Sequence, residues 1–269
     1  MKKNLLAVFF FTYLFSTSLS INDNFELLGV SDFINIKFEL DDIEFINNNN
    51  FTKIISSSKG ETSTIGMPKL PTFSSLVELD PRKEYSISFE ILSSYTINDV
   101  DIIPNQKLVN GLEKNYIDDI DLIFYESNNI YPYKNVSLSE PMIMRDIVLA
   151  SLQIVPFIYN PSLNQLEVLE HIDIIINEIN TVTDIRTREL PKSKVFENIY
   201  SRSVINYDVN SRDNDYQQPS VLYIGTSSVI QNTTFESLLQ WRRERGYVVY
   251  TATTSETGTS ASSIKNYIS

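Results

Sequence analysis

Cysteine is absent from all 269 residues, and histidine occurs once, at His171. Without a thiol there is no disulfide framework and no thiolate nucleophile. With one histidine there is no zinc site of the usual His/Cys kind, and a Ser–His–acid triad would have to run through His171. That histidine lies in LEVLEHIDIIIN, an alternating run read as a strand, so an exposed or edge-strand place is expected for it. Glycine is scarce, at 7 residues, which argues against Gly-rich phosphate loops. Basic residues are outnumbered: 22 Lys and Arg against 34 Asp and Glu give a formal net charge of −12. Affinity for phosphate chains is built from Lys and Arg, so no nucleic-acid partner is expected. The acidity itself serves solubility.

What is present suits a packed protein: 42% of residues are hydrophobic and 12% aromatic. The start, MKKNLLAVFFFTYLFSTSLS, has a basic pair (Lys2, Lys3), an apolar run from Leu5 to Phe15, and Ser18 and Ser20 in small-x-small positions. That is the pattern of a secretory signal peptide over residues 1–20, cleaved after Ser20. The apolar run is short for a membrane span. A secreted or cell-surface protein with no membrane span after signal removal is the expectation.

From residue 21 to 180 the pattern is period-two and interrupted by turn residues. FINIKFEL, LVELDP, EYSISFEIL, DIDLIFYE, IVLASLQIVPFIYN and HIDIIINEI read as strands, separated by NNNN, DPRKE and NPSLN. Many short strands with no long helix between them predict a mainly β fold, an antiparallel β-sandwich. Residues 181–218 are polar and read as a connector lying over a surface, with Arg186, Arg188, Arg202 and Arg212 along it. Exposed loop arginines are where a trypsin-like cut falls.

Residues 219–269 follow a different grammar. VLYIG is a short apolar strand, and TTFESLLQWRRERG is a helix, with Thr233 and Glu236 at capping-box spacing and Gly246 at its end. YVVYTAT resumes as a strand, and SASSIKNYIS begins a helix capped by Ser260 or Ser262. Strand, helix, strand, partial helix is one βαβ crossover and the beginning of another. About fifty residues cannot supply the core that such a sheet needs. The tail therefore reads as the truncated start of an α/β domain that continues past Ser269.

Three stretches together resemble the gingipain family of secreted cysteine endopeptidase precursors. GMPKLPTFSSLVELDP (Gly66–Pro81) is similar to an early Gly-x-Pro-x-Leu-Pro segment of that family's propeptide. SEPMIMRDIVLASLQIVPFIYNPSLNQLEVLEHIDIIIN is similar to its Arg-Asp element (Arg145, Asp146), a Pro-Phe strand end, a Tyr-Asn-Pro turn (Tyr159, Asn160, Pro161) and a Leu-x-Val strand. The tail resembles the opening of a caspase-like catalytic domain. The resemblance implies a zymogen, in which the propeptide folds with its own catalytic domain and blocks the cleft against protein substrates until removal. It also implies a Cys nucleophile with a His partner downstream of Ser269, so no catalytic residue is assigned in this chain and no peptidase activity is expected of it.

Within that resemblance, Arg202 and Arg212 are the candidate processing sites. Arg82, Lys83, Lys134 and Arg145 are candidates for a basic side chain that fills an arginine-selective pocket. For Arg145 the residues themselves favour an ion pair with Asp146 or Glu140. No cofactor is expected. Calcium is possible in the full-length family, but Asp118, Asp119 and Asp121 lack EF-hand spacing and read as a solvated strand edge. The sequons at Asn50, Asn135 and Asn232 carry little weight in an Asn-rich chain. The alternative function is an exported adhesin-like sandwich without enzymatic activity.

Overall fold

The computed structural model describes residues 23–48, 51–58, 60–108, 117–181, 190–208 and 216–269. The signal segment with Ser20, and Asn50, Arg186, Arg188 and Arg212, lie outside the described residues.

Alternating apolar residues form most of the strands. In chain order these are β1 (Phe25–Val30), β2 (Phe33–Glu39), β3 (Glu44–Asn48), β4 (Phe51–Ile55), β5 (Gly60–Glu61), β6 (Pro71–Leu79) and β7 (Lys83–Ile97). They continue with β8 (Val136–Leu138), β9 (Met142–Met144), β10 (Ile147–Ile154), β11 (Phe157–Asn160), β12 (Gln165–Thr181), β13 (Ser220–Gly225) and β14 (Val248–Thr253). The helices are α1 (Leu122–Tyr125), α2 (Lys194–Ser203), α3 (Ser227–Ile230), α4 (Thr233–Glu244), α5 (Thr254–Thr257) and α6 (Ala261–Ile268).

Two antiparallel sheets face each other. In the first, β12 is the spine, pairing with β2 and β11 in succession along one edge and with β7 along the other. In the second, β10 pairs with β6, β8 and β9. Ile34, Ile36 and Phe38 of β2 and Ile172, Ile174 and Ile176 of β12 turn inward against Phe73 and Val77 of β6 and Val148, Ala150 and Leu152 of β10. The Phe38 ring bridges the layers, edge-on to Phe25 at 5.3 Å and to Phe73 at 5.2 Å. A second apolar cluster, with Leu70, Ile102, Phe124, Phe157, Tyr159 and Leu166, fills the region beside β11.

His171 sits on the central strand of its sheet rather than an edge, because both β2 and β7 pair with β12 there. DIDLIFYE is not a strand: the Asp121 side chain accepts from the Phe124 backbone N–H and caps α1, and Phe124 is buried. The connector contains α2, whose Phe196 and Tyr200, with Val204 just beyond, pack on Ile147 and Leu149 of β10. Both faces of β10 are thereby covered at its start, which is why IVLA runs apolar without alternation.

In the tail, β13 and β14 pair in parallel, as the βαβ reading requires. The α4 cap is Asn232 rather than Thr233: its Oδ1 accepts from Thr234 and Phe235, and Glu236 pairs instead with Arg243 at 2.8 Å. Gly246 follows α4 at φ 84°, and Ser260 caps α6. Among the described residues, no helix is long and apolar enough to cross a membrane.

Burial makes the second cluster alkali-sensitive. Tyr125 donates to the Ile102 carbonyl at 2.8 Å, and Tyr159 donates to Asp101 at 3.4 Å. Burial first, then neighbouring negative charge, pushes both phenols well above their ordinary range. A group whose folded pKa is raised stabilises the fold below its unfolded pKa, about 10 for tyrosine, and that contribution is lost as pH rises beyond it. Tyrosinate absorbance followed against pH reads that loss for Tyr125 and Tyr159. These two should ionise only with cooperative loss of far-ultraviolet circular dichroism. An unchanged alkaline midpoint in the Tyr125→Phe, Tyr159→Phe double variant would refute this.

Candidate functional site

The segment GMPKLP, noted in the sequence, proves to be a brace. Gly66 adopts φ 81°, a left-handed conformation suited to glycine. Its N–H donates to the Asn105 carbonyl at 2.8 Å, and its own carbonyl accepts from Asp121 N–H at 3.0 Å. Asn105 N–H donates to the Met67 carbonyl and Lys69 N–H to the Ile103 carbonyl, each at 2.8 Å, while Met67 and Leu70 are buried. Residues 103–105 are thus fixed along one side of the brace and Asp121 along the other.

Gln106 then ties the two sides together. Its Nε2 donates to the carbonyls of Pro104 at 3.0 Å and Asp119 at 2.8 Å. Its Oε1 accepts from the N–H groups of Asp118 at 3.0 Å and Asp119 at 3.1 Å. Lys107 N–H donates to the Asp119 carboxylate at 3.0 Å. One glutamine therefore closes a neck between Pro104 on one side and Asp118 and Asp119 on the other. Sequence reading missed it, since an isolated glutamine after a strand carries no signal. The three aspartates were visible, but as a solvated edge. Asp119 belongs to the neck, Asp121 is a helix cap, and among the described residues no group of three His, Asp or Glu could hold a metal.

Arg145 lies at φ 58° in the turn between β9 and β10. Its Nε is 3.7 Å from Asp146, the ion pair expected from the sequence. Its Nη2 also donates to the Pro191 carbonyl at 2.5 Å and to Gln217 Oε1 at 3.0 Å, and the guanidinium lies 5.3 Å from the Phe196 ring centre. Tyr200 donates to Asp146 at 2.9 Å. Arg145 is thereby engaged with the connector at two places, Pro191 before α2 and Gln217 near its end.

The other basic candidates lie apart. Arg82 makes a two-pronged contact with Asp80, at 2.9 and 2.8 Å, which holds that carboxyl below its usual range. Lys83 pairs with Glu178 at 2.7 Å. Lys134 is exposed. Arg202 is exposed in the last turn of α2, between buried Tyr200 and Val204.

His171 does have a hydroxyl and a carboxylate beside it. Ser93 Oγ is 2.6 Å from Nδ1, and Glu39 is 3.5 Å from Nε2. The order mimics a hydrolytic triad, but a triad needs a buried acid that fixes the imidazole. The Glu39 side chain is 59% exposed on the outward face of the sheet, and Lys37, then His171, keep its carboxyl below the usual range. The three residues form a tie across three strands.

Comparison with known proteins matches residues 21–213 to the Propeptide_C25 family. Gingipain R2 of Porphyromonas gingivalis (strain ATCC BAA-308 / W83) is 22% identical over 225 residues, which is 78% of this chain and 30% of that protein. The chain thus spans about a third of the length of this curated relative. Among solved structures, the complex of Porphyromonas gingivalis RgpB pro- and mature domains matches with TM-score 0.58 and 22% identity, covering 70% of this chain and all of the matched one. A structure addressing zymogenic latency of gingipain K from the same organism matches with TM-score 0.47 and 14% identity, over 55% of this chain and 87% of that one.

Proposed function

Since the chain belongs to the Propeptide_C25 family, we propose that its sandwich is the latency domain of an exported gingipain-like cysteine peptidase precursor. The carrying observation is the family match, which runs through both sheets and into the connector. On this reading residues 1–20 are the signal, 21–180 the inhibitory and folding domain, 181–218 the connector, and 219–269 the beginning of the caspase-like catalytic domain. The chain has no cysteine, so it contributes no nucleophile of its own. Its partner is its own catalytic domain, and protein substrates belong to the full enzyme. No cofactor is assigned to this part of the precursor.

Arg145, 20% exposed and engaged with the connector, is a poor candidate for filling a partner's pocket. Of the two processing candidates, Arg212 is favoured over Arg202, because cutting at Arg202 requires α2 to unwind against its buried Tyr200.

The test is inhibition in trans. The chain from residue 21 onward should titrate an arginine-specific peptidase of this family stoichiometrically, with no effect on trypsin at the same concentration. Binding to glycans with no effect on the peptidase would instead support the adhesin-like alternative.

A further inference from the structure

Lys192 lies just before α2, and another part of the chain covers it while Leu190 and Pro191 stay exposed. Lys192 and Tyr216 form a parallel bridge, and Gln217 N–H donates to the Lys192 carbonyl at 2.7 Å. Lys192 is only 7% exposed, and its ammonium lies 5.9 Å from the Tyr216 ring centre. Arg145 fastens the same assembly from the sandwich side, through the Pro191 carbonyl and the Gln217 side chain.

This geometry has a chemical consequence. Peptidases selective for basic residues read their substrate as an added strand, pairing with its backbone, and draw the basic side chain into an acidic pocket. At Lys192 both requirements are blocked from within the chain: Gln217 occupies the carbonyl, and Tyr216 lies over the side chain. The cover is weak by construction. Among the described residues Lys192 Nζ is buried without a hydrogen-bond partner, and a cation–π contact offsets only part of that desolvation. Once Tyr216 and Gln217 leave, the ammonium returns to water and the Lys192 carbonyl is freed. The Ser193 carbonyl is still bonded to Glu197 N–H at 2.9 Å, but the first turn of α2 has no side-chain cap and can fray to admit the cut.

We propose that the Lys192–Ser193 bond is a latent proteolytic site, closed in the intact chain by Tyr216 and Gln217 and opened when the chain is cut between Ile205 and Tyr216. A peptidase with an acidic specificity pocket, acting in trans, adds water across this amide, leaving a carboxylate on Lys192 and an amine on Ser193. The first cut falls between Ile205 and Tyr216, where Arg212 is the basic residue available. Cleavage is thereby ordered, the stretch after α2 first and Lys192 second. The inference rests on reading the chain as a processed precursor, but its test uses trypsin alone and is independent of whether the sandwich inhibits a gingipain-like enzyme.

Limited trypsin digestion of the chain from residue 21, followed by mass spectrometry of new termini, reads the order directly. Termini at Lys192 and Ser193 should appear only after those at Arg212, with a lag. Tyr216→Ala and Arg145→Gln should each abolish the lag and raise the initial rate at Lys192–Ser193 by roughly tenfold or more. Circular dichroism should show the sandwich of both variants unchanged. Simultaneous cutting at both places in the unmodified chain would overturn the proposal, as would a lag unaltered in both variants, or no cut at Lys192 after Arg212 is fully cleaved.

Discussion

Truncating Phe38 to alanine should destabilise the sandwich by about 3–5 kcal/mol, the range for removing a buried aromatic from a packed core. Phe38 is 0% exposed and stands between Phe25 of its own sheet and Phe73 of the other, so nothing beside it can collapse into the space without parting the layers. Domains of this size are stable by only about 5–15 kcal/mol, so the loss is a large share of the total. Urea unfolding followed by circular dichroism measures it. Phe33→Ala on the same strand, where the ring is 41% exposed, is the internal control and should cost less than about 1 kcal/mol. Equal losses at the two positions would mean that the layers do not meet at Phe38.

That asymmetry was legible in the sequence because FINIKFEL has a strict period of two, and a strand with one buried face can satisfy it in only one way. HIDIIINEI was equally plain, and the two runs are partners in register, Ile36 opposite Ile174. The edge or central position of a strand was not legible, because a side-chain pattern says which face is buried and nothing about which edge is paired. His171 was therefore expected at an edge or exposed, while its strand proved to be the spine of the sheet.

The helix in the connector was missed for a different reason. Val195, Phe196, Ile199 and Tyr200 fall at helical spacing in KVFENIYSRS, but the charged and amide residues around them dilute the pattern below notice. What selects the helix is tertiary: Ile147 and Leu149 present an apolar surface that only such a face can cover. The α4 cap was misplaced by one residue because Asn232 and Thr233 are both good caps, and the local geometry chose the asparagine. Arg145 was singled out from the sequence with its neighbour Asp146. Its bonds to Pro191 and Gln217 were not legible, since they span 46 and 72 positions.

The brace was half legible: GMPKLP stood out as a motif, while its purpose depended on where Asn105, Gln106 and Asp121 came to lie. Gly66→Ala tests that purpose. The change forces a side chain into φ 81°, and the added Cβ would meet the Asp121 backbone nitrogen at 2.9 Å, a group that cannot swing aside. Left-handed strain and the clash together should cost about 2–3 kcal/mol. Gly29→Ala, where nothing lies within 4 Å, should stay within about 0.5 kcal/mol of the unmodified chain. The fold has a second cluster to lose before the main core is touched, so the Gly66 variant should remain folded at 25 °C while the Gly66–Asp121 bond, one side of the neck, is broken. If the brace shapes the face that meets a partner's cleft, inhibition in trans should weaken by at least tenfold, an effect of about 1.4 kcal/mol. Gln106→Ala, which leaves Gly66 intact and opens the neck from the other end, should weaken it by a similar factor with a smaller loss of stability. Full inhibition by both variants would separate the brace from latency and leave it a purely architectural device.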